Sequence, residues 1–393
     1  MSRDVFILGG KRTAMGEYVG ALKDISAIDL GAAAAKGALA ATKVAAEDID
    51  HTVIGNALQT SGDAIYGARH VALKAGVPFD RPALTVNRLC GSGIQSIVSA
   101  AQMIQLGEAQ TALVGGMESM SQAPHVIRGA RSGFPLGGGK LEDSLMVALM
   151  DTYCNTPMAG TAENLARKFE ISREEQDSYA LRSQQEAKRA LDAGYFADEI
   201  VPVEVTTRKG TTTFEVDDHL RPQTTMEGLA KLKPAFAKDG FVTAGNASGI
   251  VDGAAALVIC GEEYLQSRDA KPMGRIVSWA YAGVEPELMG IGPVPATRRA
   301  LESAGLKLAD IDVVEVNEAF AAQYLAVEKE LELDRSKTNV NGGAIALGHP
   351  LGATGTRLVL TVLHELKRRA GRYGLATACI GGGQGIAMIV ERV

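Results

Sequence analysis

The chain has 393 residues, 46% of them hydrophobic, and a mean hydropathy near zero, which describes two or three domains built on a large buried core. A formal net charge of −6 argues against nucleic acid as a partner while leaving room for a local basic pocket, and no apolar run approaches the roughly 18 residues of a membrane span. The four cysteines, Cys90, Cys154, Cys260 and Cys379, form no Cys-x-x-Cys pair, which points away from structural zinc and a disulfide framework and toward reduced thiols in an intracellular compartment.

From the first residues the chain reads straight into a strand over residues 4–8. Neither a basic segment with an apolar core nor an Arg/Ser-rich leader precedes it, so the expectation is a cytoplasmic protein. Further short Val/Ile-rich strands are expected over 52–55, 84–86, 111–114, 255–260, 275–278, 313–316, 377–380 and 386–390. Ala-rich helical patterns alternate with them, including 94–106 and a helix over 295–304 with proline in its first turn and Gly305 at its end. This alternation is the signature of an α/β architecture. Residues 38–57 recur without gaps as residues 300–319 in the order helix, short turn, strand, loop, and Leu113-Val114-Gly115-Gly116 is mirrored by Cys379-Ile380-Gly381-Gly382. The chain therefore reads as two α/β halves related by duplication. The N-terminal half takes 1–120 plus 246–270 and the C-terminal half 271–393. Between them, 121–245 is an insertion with Gly-rich loops and a polar helix that Ser172 and Glu175 start as a capping box and Gly194 ends. Such an insertion is placed to lie over a site shared by the two halves and to supply ligand contacts.

Four segments carry candidate chemistry. Cys90 follows a strand on the small-residue turn Asn87-Arg88-Leu89-Cys90-Gly91-Ser92-Gly93 and precedes a helix, where backbone amides and the helix dipole favour the nucleophilic thiolate. The alternative is a buried structural cysteine. His349, in Gly348-His349-Pro350, either satisfies loop carbonyls or accepts the thiol proton. Cys379 precedes Gly381-Gly382-Gly383-Gln384-Gly385, which is either a packing turn between hairpin strands or a set of amides for an oxyanion; it lacks the Lys-Ser/Thr of a phosphate loop. Asn317, in Val316-Asn317-Glu318-Ala319-Phe320, either caps the next helix or holds a polarising water.

These four segments, together with Thr161-Ala162-Glu163-Asn164 and Gly245-Asn246-Ala247-Ser248-Gly249, resemble the thiolase superfamily in order and over essentially the whole chain. Residues 171–175, 221–225 and 289–295 are similar to its mitochondrial-type 3-ketoacyl-CoA branch. The resemblance implies duplicated halves layered α/β/α/β/α. It implies an acyltransferase that exchanges acyl groups between thioesters by making or breaking a carbon–carbon bond, with coenzyme A as a substrate and no metal or other cofactor. It makes Cys90 the acyl carrier, His349 its activator and part of an oxyanion site, Cys379 the proton donor and acceptor, and Asn317 the anchor of a water in that site. Gly381 becomes a backbone oxyanion donor with Cys90; Arg221, Thr224 and Ser248 become coenzyme A contacts; Met158, Met289 and Phe320 become the apolar pocket. It also implies a homodimer or homotetramer, the latter through the Gly-rich insertion, and a mitochondrial matrix location for a eukaryotic source. Pro157 stands before Met158 where dedicated acetoacetyl-CoA thiolases commonly carry histidine, which favours the degradative over the biosynthetic branch. A non-catalytic acyl-CoA-binding relative and a thioester hydrolase are the readings from other classes.

Overall fold

The computed structural model describes residues 4–268 and 270–393, so Met1, Ser2 and Arg3 of the expected leader-free start lie outside the described residues. Nine strands form the spine: β1 (Val5–Thr13), β2 (His51–Gly55), β3 (Ala83–Val86), β4 (Thr111–Glu118), β5 (Val251–Gly261), β6 (Gly274–Gly283), β7 (Val313–Val316), β8 (Tyr373–Ile380) and β9 (Gln384–Arg392). The helices that matter here are α1 (Ala27–Thr42), α2 (Gly67–Lys74), α3 (Ser92–Leu106), α4 (Met158–Lys168), α5 (Arg173–Asp192), α6 (Pro293–Ala304), α7 (Ala321–Leu331) and α8 (Leu351–Arg369).

The strands lie side by side in the order β7-β8-β9-β6-β1-β5-β4-β2-β3, which reads as the same pattern run outward in both directions from the β6–β1 seam. In each half the pair at the seam is antiparallel (β1–β5, β6–β9), the next is antiparallel (β5–β4, β9–β8), and the outermost shared pair is parallel (β4–β2, β8–β7). A register shift falls between Ile7 and Gly9 in β1 and between Ile276 and Ser278 in β6, the same place in each copy. A bulge at matching positions is hard to obtain except from a duplicated ancestor, because an extra residue re-aims every side chain beyond it. β3 has no full counterpart; a single bridge between Val314 and Thr338 stands in its place.

Three apolar cores explain why the halves stack. The inner core joins Ile94, Ile97 and Val98 of α3 and Leu358, Val359 and Val362 of α8 to Val53, Val114 and Leu257 of one half and Ala376 and Met388 of the other. α8 buries 15 of its 19 residues, which an amphipathic surface helix never does, so it is a layer between two sheets. Outside it, α1 and α2 cover the far face of the N-terminal half and α6 and α7 that of the C-terminal half. The order is α/β/α/β/α. α3 and α8 pass at glycines: a Cβ on Gly93 would stand 2.4 Å from the Thr356 nitrogen, and one on Gly355 would stand 2.5 Å from the Ile94 nitrogen.

The region between β4 and β5 holds α4, α5 and three two-stranded hairpins, including His125–Ile127 with Leu141–Asp143 and Val203–Thr207 with Gly210–Phe214. The Ser172–Glu175 capping box starts α5, and Gly194 follows its end with φ +75°.

Candidate active site

Cys90 sits in a single tight turn, Leu89–Gly91, between β3 and α3. Leu89 adopts a left-handed φ of 46°, a conformation that costs a non-glycine residue about 1–3 kcal/mol and is tolerated where the surroundings hold it. Here Asn87 Oδ1 accepts from the Leu89 amide at 2.9 Å, and Ser92 Oγ accepts from the Arg88 amide at 2.8 Å while donating to the Leu89 carbonyl at 2.7 Å. The half-buried thiol packs beside Met120, Leu145 and Leu351. Desolvation there pushes it up to about 11, against the amide donors of Gly381 and of Cys90 itself, which pull it down. The sequence expectation of a thiolate favoured by the helix N-terminus is therefore corrected: burial outweighs the backbone dipoles, and the resting group is a thiol.

The β8–β9 hairpin supplies the second thiol. Cys379 is fully buried near the end of β8, and its thiol is pushed well above the ordinary range by desolvation and then by Cys90 nearby. Gly382 and Gly383 turn the hairpin with φ of +82° and +80°, so the glycine run is a packing turn and also aims the Gly381 amide at the Cys90 sulfur. Cys379 shares a small apolar cluster with Met289 and Ala319, on which Met158 and Phe320 pack. Pro157 caps α4 immediately before Met158.

His349 precedes α8 and is buried. Its amide donates to the Gly249 carbonyl at 2.9 Å, fixing the backbone on the lead-in to β5. Thr354 Oγ1 donates to the Pro350 carbonyl at 3.1 Å and lies 2.6 Å from His349 Nδ1. With the hydroxyl proton so engaged, Nδ1 carries the ring proton and Nε2 is left with its lone pair. Asn317 Nδ2 approaches Nε2 at 3.3 Å. Desolvation, and secondarily the Arg357 cation, push the imidazole down to about 3, so it is neutral and able to accept a proton. Asn317 does not cap the next helix, which starts at Ala321 with Phe320 as its cap residue. Its side chain is fully buried, and Oδ1 has no partner among the described residues.

A cleft of about 480 Å³ is lined by Glu17, His219, Arg221, Thr224 and Gly245 among others. Arg221 Nη2 pairs with Glu17 Oε2 at 2.7 Å, and Thr224 Oγ1 donates to the Arg221 carbonyl at 2.7 Å. Ser248, three residues past Gly245, joins the loop after Asn317, its amide donating to the Ala319 carbonyl at 3.0 Å.

Several groups escaped the sequence reading. Glu118, at the end of an entirely buried strand, accepts from the amides of Ala57, Leu58 and Gly352 and from Asn56 Nδ2, tying the start of α8 to the loop after β2; burial raises it to about 7. Glu318 accepts from Tyr179 at 2.6 Å, Ser183 at 2.7 Å, Asn339 at 2.9 Å and the Ile345 amide at 3.2 Å, locking the 339–345 loop onto α5. Thr354, five residues past His349, sets its tautomer. A carboxylate inside an apolar run was the available signal for Glu118; nothing local marked Thr354.

Residues 5–263 match the family described as thiolase, N-terminal domain, and residues 270–392 match thiolase, C-terminal domain. The human protein named 3-ketoacyl-CoA thiolase, mitochondrial, is 59% identical over 390 residues, spanning 99% of this chain and 98% of that protein. Beta-ketothiolase BktB of Cupriavidus necator is 51% identical over 394 residues, spanning all of both chains. The crystal structure of human mitochondrial 3-ketoacyl-CoA thiolase in complex with CoA superposes with a TM-score of 0.97 at 58% identity, covering 100% of this chain and 98% of that one.

Proposed function

The chain belongs to the thiolase family, and from that premise we infer that it is an acyl-CoA:acetyl-CoA C-acyltransferase that cleaves 3-ketoacyl-CoA with coenzyme A, as in fatty acid β-oxidation. The observation that carries the reading onto this chain's residues is the pairing of two thiols, one meeting the amide of Gly381 and the other set in the Met158–Met289–Phe320 cluster.

Cleaving a 3-ketoacyl thioester requires attack on a ketone and departure of a carbon group that is stable only as an enolate. In the proposed cycle Cys90 Sγ bonds to the ketone carbon as its proton passes to His349 Nε2. The resting pair is thiol and neutral imidazole, so transfer accompanies bond formation. The amides of Cys90 and Gly381 hold the developing oxyanion. The C2–C3 bond then breaks, its electron pair goes to C2, and the imidazolium with a water on Asn317 stabilises the enolate oxygen. Cys379, kept protonated by burial, gives its proton to C2, releasing acetyl-CoA and leaving acyl-Cys90 and a Cys379 thiolate. The thiol of coenzyme A next gives its proton to Cys379, its sulfur takes the acyl group, and Cys90 leaves with the proton held by His349. Every proton is returned, which gives ping-pong kinetics and a reversible condensation.

The 480 Å³ cleft with Arg221 and Thr224 supports a coenzyme A subsite, and Ser248, three residues past Gly245 of the cleft wall, is assigned in this reading to the pantetheine arm. The insertion 121–245 belongs in this reading to the binding surface, set on halves 1–120 plus 246–270 and 271–393. Oligomerisation as a dimer or tetramer is supported by the exposed edge strand β3 and by the exposed Leu136, Leu141 and Tyr153 on the insertion. No helix among the described residues is long and apolar enough to cross a membrane. The compartment follows the source: mitochondrial matrix in a eukaryote, cytoplasm in a bacterium.

The testing experiment is coenzyme A-dependent thiolysis by the purified protein across 3-ketoacyl-CoA substrates from about four to sixteen carbons. Activity beyond four carbons is expected. Activity confined to acetoacetyl-CoA would assign the chain to the biosynthetic branch, and product release without free coenzyme A would assign a hydrolase.

A further inference from the structure

We propose that the buried ion pair between Arg357 of α8 and Glu315 of β7 is a positioning device that holds the imidazole of His349 against the amide of Asn317. The inference rests on the catalytic reading above and names residues outside it.

Three side-chain contacts and two backbone spacings close a ring. Glu315 and Asn317 are two residues apart along one chain direction, the spacing that puts side chains on one face of a strand. Asn317 Nδ2 meets His349 Nε2 at 3.3 Å, and His349 Nδ1 meets Thr354 Oγ1 at 2.6 Å. Thr354 and Arg357 are one helical turn apart on α8, and Arg357 Nη1 returns to Glu315 Oε2 at 2.8 Å. The ring thus ties the start of α8, which carries the base, to the end of β7, which carries the amide. No backbone ladder joins these two elements. Without the ion pair, the 3.3 Å contact is the sole link in this ring between β7 and α8, and it is a long one.

A stabilising role alone does not account for the pair. Both side chains are buried, at 3% and 0% exposure, and each leaves one polar atom, Arg357 Nη2 and Glu315 Oε1, without a partner among the described residues. Removing two charges from water and then bonding them once is seldom better for stability than an apolar pair of the same volume. What the pair adds is direction: desolvation, with Glu318 and Glu199 nearby, raises the Glu315 carboxyl to about 8 against the pull of Arg357, and the 2.8 Å Arg357 contact is the side-chain hydrogen bond that orients this carboxyl. Desolvation, aided by the same cation, holds the neighbouring imidazole neutral.

The test compares wild type with Arg357→Met/Glu315→Leu and with Arg357→Lys. The apolar double variant removes both charges together and so keeps a folded chain where either single truncation strands a buried charge. The expected result for the double variant is a kcat for thiolysis reduced at least tenfold, a KM for coenzyme A within about twofold of wild type, and a Tm near wild type. Arg357→Lys, which keeps the charge, should recover part of the lost kcat. Nitrogen chemical shifts of the His349 ring, read without substrate, should show a single Nδ1-protonated tautomer in wild type and a mixture in the double variant. A double variant with wild-type kcat and an unchanged tautomer overturns the proposal. Absence of thiolysis in wild type instead sinks the catalytic reading, and the nitrogen shifts then still decide the positioning claim.

Discussion

Replacing Gly93 by alanine should separate the nucleophile from its base. α3 starts two residues after Cys90 and α8 two residues after His349, and the helices cross where Gly93 faces Thr356 and Gly355. A methyl group on Gly93 would stand 2.4 Å from the Thr356 nitrogen and 2.9 Å from the Gly355 nitrogen. Non-bonded heavy atoms settle near 3.5 Å, so the two helices must part by about 1 Å, and the obstacle is backbone that no rotamer change relieves. On an exposed helix the same change would be stabilising by about 1 kcal/mol. Overpacking of this kind costs about 1–3 kcal/mol, which reverses the sign and lowers Tm by a few degrees. The functional effect is larger, since a displacement of about 1 Å in a catalytic array costs on the order of 10² in rate. The assay is kcat for thiolysis with a parallel thermal melt, using Gly62→Ala as control because a Cβ there meets nothing within 4 Å. A Gly93→Ala enzyme with wild-type Tm and kcat within about twofold would refute the claim that this contact sets the active-site geometry.

Other expectations concern the reacting groups. Cys90→Ala should take up no acyl group from acyl-CoA by intact mass spectrometry, and a stoichiometric adduct in that variant would remove Cys90 as the acyl carrier. Cys379→Ala should still be acylated while losing carbon–carbon cleavage; near-normal thiolysis would reduce Cys379 to a packing residue. Asn317→Ala should lower kcat about 10²–10³-fold with little change in Tm, because the buried amide makes one long side-chain contact and keeps an unpartnered oxygen; a loss under about threefold would remove it from the oxyanion site. Alkylation of Cys90 by iodoacetamide should be slow at neutral pH. Its thiol is raised to about 11 and only the thiolate reacts, so the rate should climb about tenfold per pH unit from 7 to 10, and a plateau by pH 8 would show a thiolate–imidazolium pair at rest.

How much of this was readable without coordinates depends on the range of the interactions involved. Cys90, His349, Cys379 and Asn317 were each visible because small residues and strand ends around them left a local mark, and the structure sets Cys90 by Gly381 and His349 by Asn317. The repeat of residues 38–57 at 300–319 held through matching short turns, Ala46–Asp48 and Leu308–Asp310, each followed by a strand. The bulges at Leu8 and Val277 were not readable, since a bulge is defined by a partner strand far away in the chain. For Asn317 the sequence left a helix cap and a water anchor both open, because Asn has the capping habit; the helix in fact begins four residues later.

The sequence by itself determined the alternation of strands and helices, the duplication and the inventory of reactive side chains, because periodicity, turn chemistry and motif spacing act over a few residues. Tertiary structure decided what those side chains are chemically. Cys90 was expected as a thiolate from the helix beside it, yet the apolar surroundings of Met120, Leu145 and Leu351 leave it a thiol. His349 is neutral because α8 lies between two sheets, and its tautomer is set by Thr354. Protonation depends on how much water is removed and on which charges come near, and both are set by how the folded elements pack around each group.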